Sequence, residues 1–130
     1  MAESIAMFAS INFTIVGLSH ICQVQAWREF FQKLHSMGHA GAFANGMITL
    51  LMGSWIVSFH NIWTGVPVIL TLIGWGYILK SAAIFVYPQW NLRSMGNVEH
   101  SPKLKFRIAG MALLGVGVTI ALSIAFGQYS

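Results

Sequence analysis

Hydrophobic positions along the chain gather into four long, nearly uninterrupted runs, at roughly residues 4–22, 40–59, 66–87 and 106–127. Each is about 20 residues, the helix length that crosses a ~30 Å hydrocarbon core at 1.5 Å per residue. No strict alternation of apolar and polar positions runs through them, which argues against the strands of a closed barrel. A helix satisfies its own backbone polar groups, as lipid requires. The pattern therefore predicts an all-α fold: an integral membrane four-helix bundle, with residues 1–130 forming a single membrane domain. The first run resembles a signal peptide in length. It carries Glu3 where a basic region is expected, and Gln23, Gln25 and Trp27 follow it in place of a small-residue cleavage site, so it reads as a retained span.

The links differ in kind. In AWREFFQKLHSM, Trp27, Phe30, Phe31 and Leu34 recur at i, i+3, i+4 and i+7, with Arg28, Glu29, Gln32 and Lys33 on the other side. This predicts a short amphipathic helix lying on the cytoplasmic leaflet, or else an extension of a span packed on a neighbour. The third link, PQWNLRSMGNVEHSP, is the only stretch of soluble-type composition. The second link, FHNIWTGVP, has no charge at all.

Composition strengthens the membrane reading. Charged residues are 8% of the chain and hydrophobic residues 56%, against about 25% charged in an ordinary soluble domain. The net charge of +4 does not imply nucleic acid as a partner. Apart from Lys80, the basic residues flank the first and third links, as membrane orientation explains. The positive-inside rule then places those links in the cytoplasm, and both termini and the second link on the outer, periplasmic side of a bacterial inner membrane. Trp27, Tyr87 and Trp90 fall at one interface, and Trp55, Trp63 and Tyr129 at the other. Trp75 and Tyr77 lie deeper and are expected inside the bundle. The single Cys22 excludes an intrachain disulfide.

The uncharged second link fits a tight hairpin clamp. Trp63 anchors at the headgroups, Gly65 supplies backbone freedom, and Pro67 suits the start of the next helix. His60 and Asn61 are expected to cap the open carbonyls of the preceding helix, or to bind a ligand or ion. HNIW at 60–63, LTLIGW at 70–75, LK at 79–80 and Pro88 together resemble a family of small, uncharacterised bacterial integral membrane proteins. That family's outline is His-Asn-x-Trp, Ile-Thr-Leu-x-Gly-Trp, Leu-Lys-Gly and a later Pro. Leu70 and Ser81 depart from it. The resemblance covers about a quarter of the chain; it implies a four-helix inner-membrane protein and no activity.

Candidate chemistry is sparse. Lys80 lies inside an apolar run, about 10 Å from its cytoplasmic end, and an ionisable residue there marks a functional site or a snorkelling side chain. Reflecting the hairpin about Trp63 sets Lys80 opposite Gly46 and beside Asn45, which predicts an Asn45–Lys80 hydrogen bond. His35 and His39 are at i, i+4, with His20 and Cys22 near the same leaflet; these four are the candidate metal ligands, and single histidines could also serve a haem or a chlorin magnesium. No cofactor is expected. The acidic residues Glu3, Glu29 and Glu99 all lie outside the four runs, and no nucleophile–base spacing appears, so catalysis is not expected. Small residues line Gly117, Ala121 and Ala125 in the fourth run and Ala42, Gly46 and Gly53 in the second, and such stripes let helices approach closely. The expected partners are the lipid bilayer and either further copies of the chain or a larger membrane complex. The function indicated is a non-enzymatic accessory or assembly component of such a complex. The alternative is an oligomeric channel or transporter with Lys80, Asn45, Asn12, Thr71 and Tyr77 along its pathway.

Overall fold

In the computed structural model, residues 1–129 are described. They form six α-helices and a 3-10 turn: α1 (Ala2–Cys22), α2 (Val24–Ser36), α3 (His39–Phe59), α4 (Val68–Val86), α5 (Pro88–Gly96), the turn Asn97–His100, and α6 (Lys103–Ala125). No strand is present among the described residues. Four helices, α1, α3, α4 and α6, are long and apolar enough to cross a membrane. The fold is thus the all-α membrane helical bundle that the hydrophobic runs predict.

The spans associate as two antiparallel pairs, α1 with α6 and α3 with α4. Glycine sets the approach in both. A Cβ built on Gly110 would lie 2.6 Å from the carbonyl oxygen of Gly17, and one on Gly53 would lie 2.9 Å from that of Gly74. Only a residue without a side chain permits backbones this close. The small stripe of α3 is therefore spent inside the bundle, since Ala42, Gly46 and Gly53 are all buried. On α6, Gly117 meets Thr14, whereas Ala121 and Ala125 are exposed.

The two pairs meet unevenly. At the end holding the 60–67 link (the turn end), Ile5, Ala6, Ala9 and Phe13 of α1 pack with Ile56, Leu70 and Ile120 in one cluster drawn from all four spans. At the opposite, basic end, Leu34, Ala42, Ile84 and Met95 form a second cluster from α2, α3, α4 and α5, with no residue from α1 or α6. The α1/α6 pair therefore stands apart from α3/α4 at that end.

The link helices explain the second cluster. α2 is separate from α1: Gln23 breaks the helix at φ −121°, ψ 51°. Its apolar stripe does not simply face a leaflet. Leu34 is buried, Phe31 packs on the second cluster, and Trp27 stacks on His20 at 4.0 Å and donates to Ser19 Oγ at 2.9 Å; Phe30 alone of the four is substantially exposed. The third link, soluble-type in composition, contains α5, opened by Pro88 in its first turn, where a missing N–H costs nothing. Asn91 and Met95 of α5 are buried.

Candidate functional site

Two polar constellations stand out, one at each end of the bundle. At the turn end, α3 closes with the His60 N–H on Ile56 O at 2.7 Å. Gly65, at φ +64°, reverses the chain in a conformation that side chains disfavour, and Pro67 caps α4. His60 has no exposed surface. Its ring does not cap α3 as expected; it reaches across to α4 and the C-terminal segment. Nδ1 lies 3.2 Å from Thr71 Oγ1, and Nε2 lies 3.3 Å from the Tyr129 hydroxyl.

The donors in this network can be assigned from one hydroxyl. Thr71 has a single O–H, and it donates to Ile62 O at 2.8 Å. Thr71 Oγ1 must then accept from both the Ile62 N–H at 3.0 Å and His60 Nδ1–H. Nε2 is left as the acceptor for Tyr129 O–H. The imidazole is neutral in this arrangement, in accord with burial, which pushes His60 below its ordinary value of 6.5 against a smaller opposing backbone contribution. Burial likewise raises Tyr129 above its ordinary range, with the Ser123 side chain pulling the other way. Asn61 accepts from Trp75 Nε1 at 3.4 Å. Trp75 is exposed, contrary to the expectation that it packs inside, and Trp63 is exposed too. Tyr77 is partly buried, edge-on to Phe13 at 6.4 Å.

At the basic end, the separation of the helix pairs leaves a cavity of about 440 Å³. Lys80 and Asn45 line it from α4 and α3, Asn91 and Trp90 from α5, and Lys105 and Phe106 from α6. The structure thus places Asn45 and Lys80 on one cavity but does not join them. Asn45 Nδ2 donates to Asn91 Oδ1 at 3.3 Å, and Lys80 makes no hydrogen bond or ion pair among the described residues. The reason is register. Gly46 faces Ile84, and Gly74 faces Ile56, so the hairpin is symmetric about Gly65 and not Trp63. That shift moves Lys80 about one helical turn away from Asn45. Asn91 is 5% exposed; nothing in the soluble-type composition of the third link indicates that this residue turns inward.

The cavity wall is basic and lacks carboxylates. The Arg28 guanidinium touches two of its lining residues, donating to Ser101 O and lying 5.7 Å from the Phe106 ring centre. Above the cavity, toward mid-span, a second open groove of about 350 Å³ is lined by Phe13, Ile73, Gly76, Tyr77, Leu113 and Val116, with Ala112. Asn12 lines neither and donates to Phe8 O in its own helix.

The candidate metal ligands are dispersed. His20 Nδ1 is engaged with Val16 O, His35 Nδ1 lies 2.9 Å from Leu92 O on α5, and Cys22 is exposed. Among the described residues no three His, Cys, Asp or Glu side chains converge. No family model, curated protein or solved structure matches the chain.

Proposed function

We propose that the chain is a non-enzymatic accessory or assembly component of a larger membrane complex, set in a bacterial inner membrane and belonging with the small four-helix proteins that its HNIW turn resembles. The observation that carries this reading is the surface of α6. The glycines at the α1/α6 and α3/α4 interfaces are consumed within the bundle, yet α6 presents Ala121 and Ala125 to its surroundings. Farther round the same helix, a Cβ on Gly115 would meet nothing within 4 Å. Of the four spans α6 is also the least covered by the rest of the chain. Small exposed positions allow a further helix, from a second copy or another subunit, to approach closely. The pathway reading has less support, because two of its residues, Asn12 and Thr71, line neither the cavity nor the groove.

Purification at native expression in a mild detergent tests the proposal. The expected result is elution in a larger assembly, weakened by Gly115→Leu without loss of helical content. Elution of the wild type only as a free monomer would overturn it. In the same reading the basic end is cytoplasmic. A cysteine placed at Gly65 on a Cys22→Ser background should then react with an impermeant thiol reagent from outside intact cells. Reaction only after the inner leaflet is permeabilised would reverse the orientation.

A further inference from the structure

The basic cavity and the apolar groove belong to one cleft. Gly76 and Tyr77 line the groove, and Lys80, four and three residues on, lines the cavity from the same face of α4. On α6, Leu113 lines the groove and Ala109, four residues earlier, the cavity. Residues three and four apart share a helix face, so both walls continue from one space into the other. The cleft between α4 and α6 is thus cationic and amide-lined near the helix ends and apolar toward mid-span.

Charge indicates the occupant. Lys80 and Lys105 line the cavity and Arg28 abuts it, while no carboxylate lines it and no ion pair among the described residues neutralises any of the three. An ammonium placed about two helical turns inside a span is costly unless it meets a counter-charge. A soluble anion would supply one, but it has no use for the apolar groove that extends the same cleft. We infer that the cleft seats one anionic phospholipid from the leaflet at the basic end, its phosphate between Lys80 and Lys105 and an acyl chain along Phe13, Tyr77 and Leu113. Asn45 and Asn91, already bonded to each other, hold the cavity wall. The stem of Lys80 lets its head rise to phosphate depth. This inference is independent of the accessory role and survives or fails without it.

The test uses the full chain in neutral detergent, stripped of native lipid. The probes are phosphatidylglycerol, phosphatidylcholine with the same acyl chains, and inorganic phosphate, read by native mass spectrometry and by thermal unfolding. Phosphatidylglycerol should bind and raise the unfolding midpoint more than phosphatidylcholine does, and inorganic phosphate should do neither. Lys80→Met/Lys105→Met should weaken phosphatidylglycerol roughly thirtyfold and phosphatidylcholine, whose phosphate is already countered by its own choline, much less. Both lysines are exposed, and Lys105→Met alone, in the first turn of α6, gives a second variant with a smaller expected loss. Gly76→Leu has room for its Cβ and should fill the groove, weakening both lipids. Equal binding of the two lipids by the wild type, or full retention of phosphatidylglycerol by the double variant, would overturn the inference. Stabilisation by inorganic phosphate as large as by phosphatidylglycerol would instead assign the cavity to a soluble anion and overturn the lipid. Unchanged lipid binding by Gly76→Leu would overturn the seat proposed for the acyl chain.

Discussion

Replacing Gly110 by alanine should loosen the α1/α6 pair, and the same replacement at Gly115, five residues along the same helix, should not. At Gly110 the new Cβ would stand 2.6 Å from Gly17 O and 2.8 Å from His20 Cβ. Ordinary contact begins near 3.4 Å, so the shortfall against the carbonyl is about 0.8 Å. The obstacle is backbone and cannot rotate away, so the two helices must part by most of that distance. A gap of 0.5–1 Å forfeits roughly a quarter to a half of each nearby dispersion contact, and overpacking of this kind costs about 1–3 kcal/mol. At Gly115 an added Cβ touches nothing within 4 Å. Both changes carry the same gain in helix propensity, up to about 1 kcal/mol, so the difference between the variants isolates the packing term. Unfolding of the detergent-solubilised monomer, followed by circular dichroism or tryptophan fluorescence, measures it. Gly110→Ala should be less stable than Gly115→Ala by about 1–3 kcal/mol. Gly17→Ala combined with Gly110→Ala should cost less than the sum, because helices already parted accommodate the second methyl. If Gly115→Ala proves as destabilising as Gly110→Ala, the close backbone approach is not what holds the pair.

Three further outcomes follow from the polar contacts. Thr71→Val keeps the shape but leaves the Ile62 N–H, the Ile62 carbonyl and His60 Nδ1–H without their shared partner; a loss of about 2 kcal/mol in thermal unfolding is expected, and a neutral result would remove the network's structural role. Because burial holds His60 below 6.5, the unfolded chain takes up its proton first as pH falls. The stability that the neutral ring contributes is complete above pH 6.5, declines as pH drops below it, and levels off under the folded value. His60→Gln should flatten that part of a stability–pH profile, and an unchanged slope would count against the assignment. Asn45→Ala and Asn91→Ala should be non-additive, with a coupling near 0.6 kcal/mol, whereas Asn45→Ala and Lys80→Met should add; a double-mutant cycle on each pair separates the two bonding schemes.

The spans were legible because each is a run of apolar residues whose length the bilayer dictates, and the observed helix ends fall within three residues of the expected ones. Backbone freedom at Gly65 was legible too, since the residue adopts the left-handed conformation that its neighbours avoid. Pairing was not. Nothing in the hydrophobic pattern says that α1 should lie against α6, the most distant span in sequence, because lipid is as apolar as either partner and helix pairing rests on packing detail. Register failed for a related reason. A reflection about Trp63 misplaces the centre of the hairpin, because the chain turns at Gly65, and two residues of error at the pivot become four on the opposite helix, a full turn at the level of Lys80. The fate of Asn91 depends on α5, nine residues long, whose pattern is too short to indicate that one polar residue faces inward.

The two ends of the bundle solve opposite problems. At the turn end the 60–67 link carries no charge, so the backbone groups it exposes must be met by neutral side chains. Thr71 serves Ile62 in both directions, and His60 bridges from Thr71 to Tyr129, so one imidazole ties α3, α4 and the segment after α6 together. That tie coincides with the cluster in which all four spans meet. At the basic end the corresponding neighbours of α3 and α4 are α2 and α5, which fill the second cluster and keep the α1/α6 pair at a distance. A junction of all four spans at one end and an intervening pair of short helices at the other make a wedge. Its opening lies where the chain has placed Lys80 and Lys105, so the same unequal packing that shapes the fold also creates the space in which those two charges can be answered from outside the chain.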